Sequence, residues 1–225
     1  MSSQDKYKQV IREQMAKLKK PVTIEVFTSY NGHNAGIKEC ADCDKTLDLL
    51  NIYKENSNGK LNIKERSINE NPDYANQYDI QRVPTILFID DQGREVIRYL
   101  ANPIGPEVQP FVKAIFAFAG AGNYYENAVK NNLDRIDPST IKVMITMQCP
   151  YCPQVVEAAN LIAAAGKGKI RAVIVDIMAN PDIGQYYNAS GVPYTIINER
   201  PAISGMINAN QLIRELIGNN IDVGY

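Results

Sequence analysis

The four cysteines of this chain fall into two C-x-x-C pairs, Cys40 and Cys43 in "IKECADCDKTLDLL" and Cys149 and Cys152 in "ITMQCPYCPQVV". Thiols three residues apart suit two chemistries. They can close and reopen a disulfide, the first sulfur attacking as a thiolate and the second resolving the mixed disulfide. Alternatively, each pair supplies half of a four-sulfur zinc site. Zinc ribbons usually bring their pairs within about 15–20 residues. Here the whole of 44–148 intervenes, and each pair has its own preceding apolar run and its own following helical pattern. Dithiol–disulfide exchange is therefore expected, with no metal site. A structural zinc-binding protein is the alternative from another class.

That chemistry makes demands on the elements around it. Free N–H groups at a helix start carry about half an elementary positive charge. A thiolate is stabilised there, which makes Cys149 the expected nucleophile and Cys152 the resolving thiol. Cys40 and Cys43 take the same roles in the other pair. Pro150 is expected in the first helical turn, where its missing N–H is no loss. Tyr151, between the cysteines, is expected to be exposed and to touch substrate through its ring. Glu39, Asp42 and Asp44 crowd Cys40, whereas no carboxylate is near Cys149 in sequence. Like charge disfavours the thiolate. Cys40 should therefore have the higher pKa, and its pair the greater reducing power, with electrons running from the first site to the second.

The positioning elements occur twice. Shifting the sequence by the spacing from Cys40 to Cys149 lays "NPDYANQYDIQRVPT" (71–85) on "NPDIGQYYNASGVPY" (180–194), with identity at Asn, Pro, Asp, Tyr, Val and Pro. Each cysteine pair is thus followed at one fixed distance by a Val-Pro pair, Val83-Pro84 and Val192-Pro193. Were these prolines cis, as proline readily permits, the preceding backbone would be exposed beside the cysteines for an extended substrate strand to pair with. Around these motifs the patterns predict a helix (4–19; 123–135), a strand ("VTIEVFT"; "IKVMITM") and the helix after C-x-x-C. Then come a strand ("LNIKERSI"; "IRAVIVDI"), a short Asn-Pro helix, two strands ("TILFID" and "REVIRYL"; "YTIIN" and "AISGMI") and an amphipathic helix. The seam falls at "AGAGN". The expected architecture is α/β: two tandem domains, 1–120 with CADC and 121–225 with CPYC, each a mixed sheet covered by helices on both faces.

Composition agrees with a globular chain. Of 225 residues 45% are hydrophobic and 22% charged, and 24 basic residues meet 25 acidic ones. Nothing here points to a nucleic-acid or membrane partner. The N-terminal stretch reads as an amphipathic helix rather than an export signal, and a cytoplasmic location is expected. His33, in the polar loop "SYNGHNAGIK", reads as a solvated loop residue. Glu25 reads as a solvent-facing strand residue rather than a proton shuttle, and Asp176 as a structural acid at a strand end.

Taken together, the residues resemble the thioredoxin superfamily. The whole chain is similar to the archaeal and thermophile protein disulfide oxidoreductases, tandem thioredoxin-fold proteins with one C-x-x-C per unit. C-P-Y-C at 149–152 matches that family's C-terminal motif and the usual glutaredoxin sequence. Pro84 and Pro193 match the cis-proline position, while C-A-D-C at 40–43 lacks the aromatic residue often found there. The resemblance implies reduction, formation or reshuffling of protein disulfides, the C-terminal site being the principal one. It implies no bound cofactor beyond the redox-active disulfides, and recharging by a thioredoxin-reductase-like flavoprotein. Relay of electrons to a peroxiredoxin is the nearest alternative, and a redox-silent thioredoxin-fold chaperone a more distant one.

Overall fold

The computed structural model describes residues 3–30, 39–200 and 202–218. The first copy runs α1 (Ser3–Met15), β1 (Val22–Thr28), α2 (Cys43–Glu55), β2 (Leu61–Ser67), α3 (Pro72–Gln77), β3 (Thr85–Ile89), β4 (Glu95–Leu100) and α4 (Val108–Phe118). The second runs α5 (Glu126–Lys130), β5 (Ser139–Ile145), α6 (Cys152–Ala165), β6 (Ile170–Asp176), α7 (Pro181–Tyr186), β7 (Tyr194–Ile197), β8 (Ile203–Ser204) and α8 (Ala209–Ile217).

In each copy the strand that leads to the cysteines is central. It pairs in parallel with one neighbour (β1 with β2, β5 with β6) and antiparallel with the strand that follows Val-Pro (β3, β7). The mixed sheet is thus as expected. The joint between copies is not a feature the repeat announces. β4 pairs in parallel with β6, from Ile97 opposite Ala172 to Leu100 opposite Val175, giving one eight-stranded sheet of order β2-β1-β3-β4-β6-β5-β7-β8. An open strand edge is a template for unwanted pairing, and this joint covers one edge of each copy. It also explains why "IRAVIVD" is apolar almost throughout, since a parallel strand inside a covered sheet is buried on both faces.

Side-chain alternation assigns the helices to faces. Ile24 and Val26 of β1, and Ala172 and Ile174 of β6, enter the main core with residues of α2, α4, α6 and α8. Phe27 points the other way to Ala75 and Tyr78 at α3, and Val173 and Val175 point to Ile183 and Tyr187 at α7. At the centre of the main core Phe111 is fully buried, edge-on to Tyr53, Phe88 and Tyr99 at 5.1–5.5 Å between centroids. Phe111→Ala should cost about 3–5 kcal/mol, from lost burial plus the cavity left among three rings. Urea unfolding would show it as a lower midpoint at unchanged slope.

Three sequence expectations shift. α1 stops at Met15 rather than 19, turning through Leu18 ahead of Pro21. The 123–135 helix is only α5 plus a short 3-10 turn at Leu133–Arg135, because Asn131 and Asn132 are poor helix formers and Asn132 turns its amide back to Ala128 O. "AISGMI" shrinks to the two residues of β8. Gly205, at φ +85°, leads the chain out of the strand and gives its N–H to Pro193 O at 2.9 Å.

Candidate active site

Both C-x-x-C pairs sit where a central strand hands over to a helix. Cys43 is the first residue of α2 and Cys152 the first of α6, so each partner cysteine lies one turn ahead of a helix start. Each pair is closed as a disulfide, with 5.5 Å between its Cα atoms. The four sulfurs are therefore paired within each motif and not gathered on one centre. Among the described residues no group of three or more His, Cys, Asp or Glu side chains is placed to hold a metal ion. His33 lies outside the described residues.

The two pairs differ in their surroundings. Cys149 is nearly buried, at 6% exposure, and its Sγ accepts the Cys152 backbone N–H at 3.1 Å. In the first pair the corresponding N–H, that of Cys43, is given to the Cys40 carbonyl at 3.3 Å. Cys40 is half-buried and Cys43 fully buried. Of the acids around Cys40, Glu39 is exposed, and Asp42 is held by Lys45 at 2.9 Å, which partly offsets its charge. Tyr151 is exposed, at 60%. Pro150 does not occupy the first helical turn. The chain first turns through Thr146–Cys149, with Cys149 N–H on Thr146 O at 3.1 Å, and Pro153 takes the place at the start of α6 that a proline can fill.

The Val-Pro pairs arrive from the neighbouring antiparallel strands, and both peptide bonds are cis. Val192 packs on the core that contains Cys149 and Cys152, and Pro193 beside it is buried. Val83 and Pro84 meet the start of α2, sharing a small cavity with Asp42 and Thr46. Thr46 Oγ1 fixes that corner, lying 2.8 Å from Asp42 O and 2.6 Å from Asn102 Oδ1, with its one proton available to either. Each half thus brings its sulfurs and its Val-Pro pair to the same end of the sheet.

Asp176 ends its strand as expected, but Glu25 is not where the sequence suggested. Glu25 is buried rather than solvent-facing, and Arg66 caps it through Nε at 3.2 Å and Nη2 at 3.3 Å. It lies on the α3 face of β1, opposite the face that carries α2, so it is not turned toward Cys43. The sequence reading missed Glu107. This residue closes a short 3-10 turn (Gly105–Glu107) that packs on α6 and leads into α4. It is 1% exposed, and neither carboxylate oxygen has a hydrogen-bond partner among the described residues. Burial, with the nearby Asp176 charge adding to it, pushes its pKa up to about 7. Asp176 ends β6 opposite Ile145 and accepts the Met178 N–H at 3.0 Å. Burial raises its pKa too, and it also faces the cavity beside Pro84. Glu107 and Asp176, one from each half, are thus buried acids close enough for the charge of one to act on the other.

Residues 139–218 match the family described as Thioredoxin domain. A search of curated proteins gave no match. A protein disulfide oxidoreductase from Aeropyrum pernix superposes with a TM-score of 0.82 at 27% identity, covering 97% of this chain and 94% of that one. The alkylhydroperoxide reductase component AhpF from Enterococcus faecalis gives 0.81 at 22% identity, covering 94% of this chain and 98% of that one, a likeness of fold. The present chain is a thiol–disulfide oxidoreductase made of two thioredoxin folds in tandem, similar throughout its length to the Aeropyrum protein disulfide oxidoreductase.

Proposed function

We propose that the chain exchanges dithiols for disulfides on protein substrates, with Cys149 as the principal nucleophile. The observation that carries this reading is the Cys152 N–H held on Cys149 Sγ at the start of α6. A hydrogen bond to the charged form favours the thiolate, and the helix start adds to it. Cys149 attacks a substrate disulfide, Val192 and Pro193 line the approach, and Tyr151 meets the substrate from solvent. Cys152 then attacks the mixed disulfide and releases the reduced product. Glu107 takes the proton that Cys152 must lose, being a buried carboxyl poised to change charge near neutrality.

Cys40 and Cys43, with Val83 and Pro84, form the second redox centre in this reading, and the two units divide at 120 and 121. The Cys43 N–H is on the Cys40 carbonyl rather than its sulfur, and Cys40 stands among acids, so its pair is the more reducing and passes electrons to Cys149 and Cys152. A thioredoxin-reductase-like flavoprotein recharges the system in the cytoplasm. Among the described residues no helix is long and apolar enough to cross a membrane. The alternative is relay to a peroxiredoxin. The fold shared with AhpF of alkylhydroperoxide reductase is compatible with it.

The reading is tested with full-length protein and insulin as the disulfide substrate. Catalysed insulin reduction with dithiothreitol, and a reduction potential for the first pair at least about 30 mV below the second, are expected. Dominant turnover of a peroxiredoxin with negligible insulin reduction would favour the relay. No turnover of either would leave a chaperone role.

A further inference from the structure

The joint that makes the sheet continuous also leaves part of it uncovered. On the face that carries α3 and α7, each copy brings one short helix, and β4 and β6 pass between them. Alternation turns Leu100 of β4 and Val173 and Val175 of β6 to this face. They floor a cleft of about 620 Å³, walled on one side by Ile183, Tyr186 and Tyr187 of α7 and the residue after it. Small-molecule sites have volumes of about 300–1,000 Å³, an apolar lining and a few charged or polar groups.

The two ends of the cleft differ. At the end nearer the cysteines, Arg82, the residue before Val83, clasps Asp182 of α7 in two bonds, Nη2 to Oδ2 at 2.7 Å and Nη1 to Oδ1 at 3.0 Å. Asn180 braces this clasp, accepting from Arg82 Nη1 at 3.3 Å and donating to Leu100 O at 2.9 Å. The opposite end is open. There β6 presents Arg171, its side chain 42% exposed, and on α7 Tyr186 is 77% exposed. Val175 and Arg171 stand about 13 Å apart along β6 by strand rise.

The charges around the cleft leave one cation unmatched. Arg82, Arg98, Lys142 and Arg171 line it, with Asp182 the one lining acid. Behind them Glu199 meets Lys142 at 2.9 Å, and Glu95 serves both Arg98, at 2.6 Å, and Arg171, at 3.5 Å. Arg82 is spent on Asp182 and Lys142 on Glu199, so two arginines share a single carboxylate. Arg171 is the one left short. Its only acid among the described residues is the more distant, shared Glu95, and its Nε is buried with no hydrogen-bond partner among them.

We propose that this cleft binds a small amphiphilic monoanion, a medium-chain carboxylate, with its apolar body over Leu100, Val173 and Val175 and its head on Arg171. A carboxylate matches the planar fork of a guanidinium in charge and geometry. The clasp decides between a small ligand and a polypeptide. An extended chain has to leave a groove at both ends, and Arg82 with Asp182 stands across one of them. A polypeptide C-terminus fits no better, because its carboxylate would lie at the mouth while the chain behind it ran into the closed end. Among the described residues no cysteine lines the cleft, so the proposal is independent of the redox reading.

Equilibrium dialysis of the full-length, oxidised protein against labelled decanoate, decanol and decylamine tests this. Decanoate should bind saturably, with decanol weaker by about tenfold or more and decylamine weaker still. Arg171→Gln should weaken decanoate by about tenfold or more and leave decanol unchanged, whereas Arg171→Lys should keep part of the preference for the acid. Insulin reduction by Arg171→Gln should match the parent. A photoactivatable decanoate should label peptides that carry Leu100, Val173, Val175 or Ile183. Absence of saturable binding, or labelling elsewhere, overturns the site. Equal changes for decanoate and decanol in Arg171→Gln, or none in either, overturn the role of Arg171. Displacement of decanoate by an apolar decapeptide overturns the assignment to a small ligand. Should Arg171→Gln fail to fold, the decanol comparison and the labelling of the parent protein decide.

Discussion

Cys149→Ser is expected to lower the rate of insulin reduction by about 10³-fold or more, while Cys40→Ser lowers it by about tenfold or less. The inequality follows from where two backbone N–H groups point. At the start of α6 the Cys152 N–H is on sulfur, at 3.1 Å. At the start of α2 the Cys43 N–H is on a carbonyl instead. Only the thiolate attacks a disulfide, so the site whose geometry favours the thiolate should carry the polypeptide flux. A serine hydroxyl at 149 remains protonated at neutral pH and forms no mixed disulfide. Cys152→Ser should fail differently, because Cys149 still attacks but nothing resolves the product. Mass spectrometry should then find insulin chains linked to Cys149. Equal losses from Cys149→Ser and Cys40→Ser would overturn the assignment of the principal site.

Much of this was legible in the sequence, for a physical reason. A fold that uses one strand–turn–helix unit twice must repeat its hydrophobic periods and its turn residues, and Val83-Pro84 with Val192-Pro193 kept the register visible. Strand patterns such as "VTIEVFT" were recovered at Val22–Thr28 because alternation and β-branching act locally. What stayed hidden depends on contacts between the copies. Parallel pairing of β4 with β6 leaves no turn signal, since no hairpin connects them. The clasp of Arg82 on Asp182 joins residues that look like ordinary surface charges in sequence. Glu25 misled because an acid in a strand suggests a solvent face, and only the fold supplies Arg66 to bury it. Glu107 escaped for the complementary reason. The acids that the sequence singles out, Glu25 and Asp176, lie on each copy's own strands, whereas this carboxyl comes from the turn before α4, which packs on the other copy's helix. An acid set in "NPIGPEVQPFVKAIF", just ahead of an apolar helix, was the one available signal, and it resembles a favourable helix-start charge.

That position makes Glu107→Gln the most informative single change in the buried acid pair. Two results are expected together, a more stable protein above neutral pH and a slower one. Folding raises the pKa of this carboxyl from 4.5 to about 7. Well below pH 4.5 both folded and unfolded chains hold the proton, and the acid carries no linkage penalty. As pH rises through the unfolded value the unfolded chain releases its proton while the folded one keeps it, so the folded state loses relative stability. Above about pH 7 both are ionised and the loss is complete, about 3 kcal/mol in order of magnitude. Glutamine escapes this loss, so Glu107→Gln should match the parent near pH 4 and exceed it increasingly up to pH 8 in urea unfolding. The Asp176 charge adds to the shift of Glu107, and burial raises the pKa of Asp176 as well. Tyr99, buried on the same side, stays neutral throughout this range. The kinetic result has the opposite sign. In the parent, resolution by Cys152 should accelerate as Glu107 ionises near pH 7. In Glu107→Gln that inflection should vanish and the step at pH 7 should slow by about 100-fold. Stopped-flow release of product from the mixed disulfide, followed from pH 5 to 9, measures it directly. A variant that gains stability yet keeps the parent's rate and pH profile would make Glu107 a mere structural acid. A buried charge with no hydrogen-bond partner among the described residues is a standing cost to the fold, and proton acceptance at Cys152 is the function proposed to offset it.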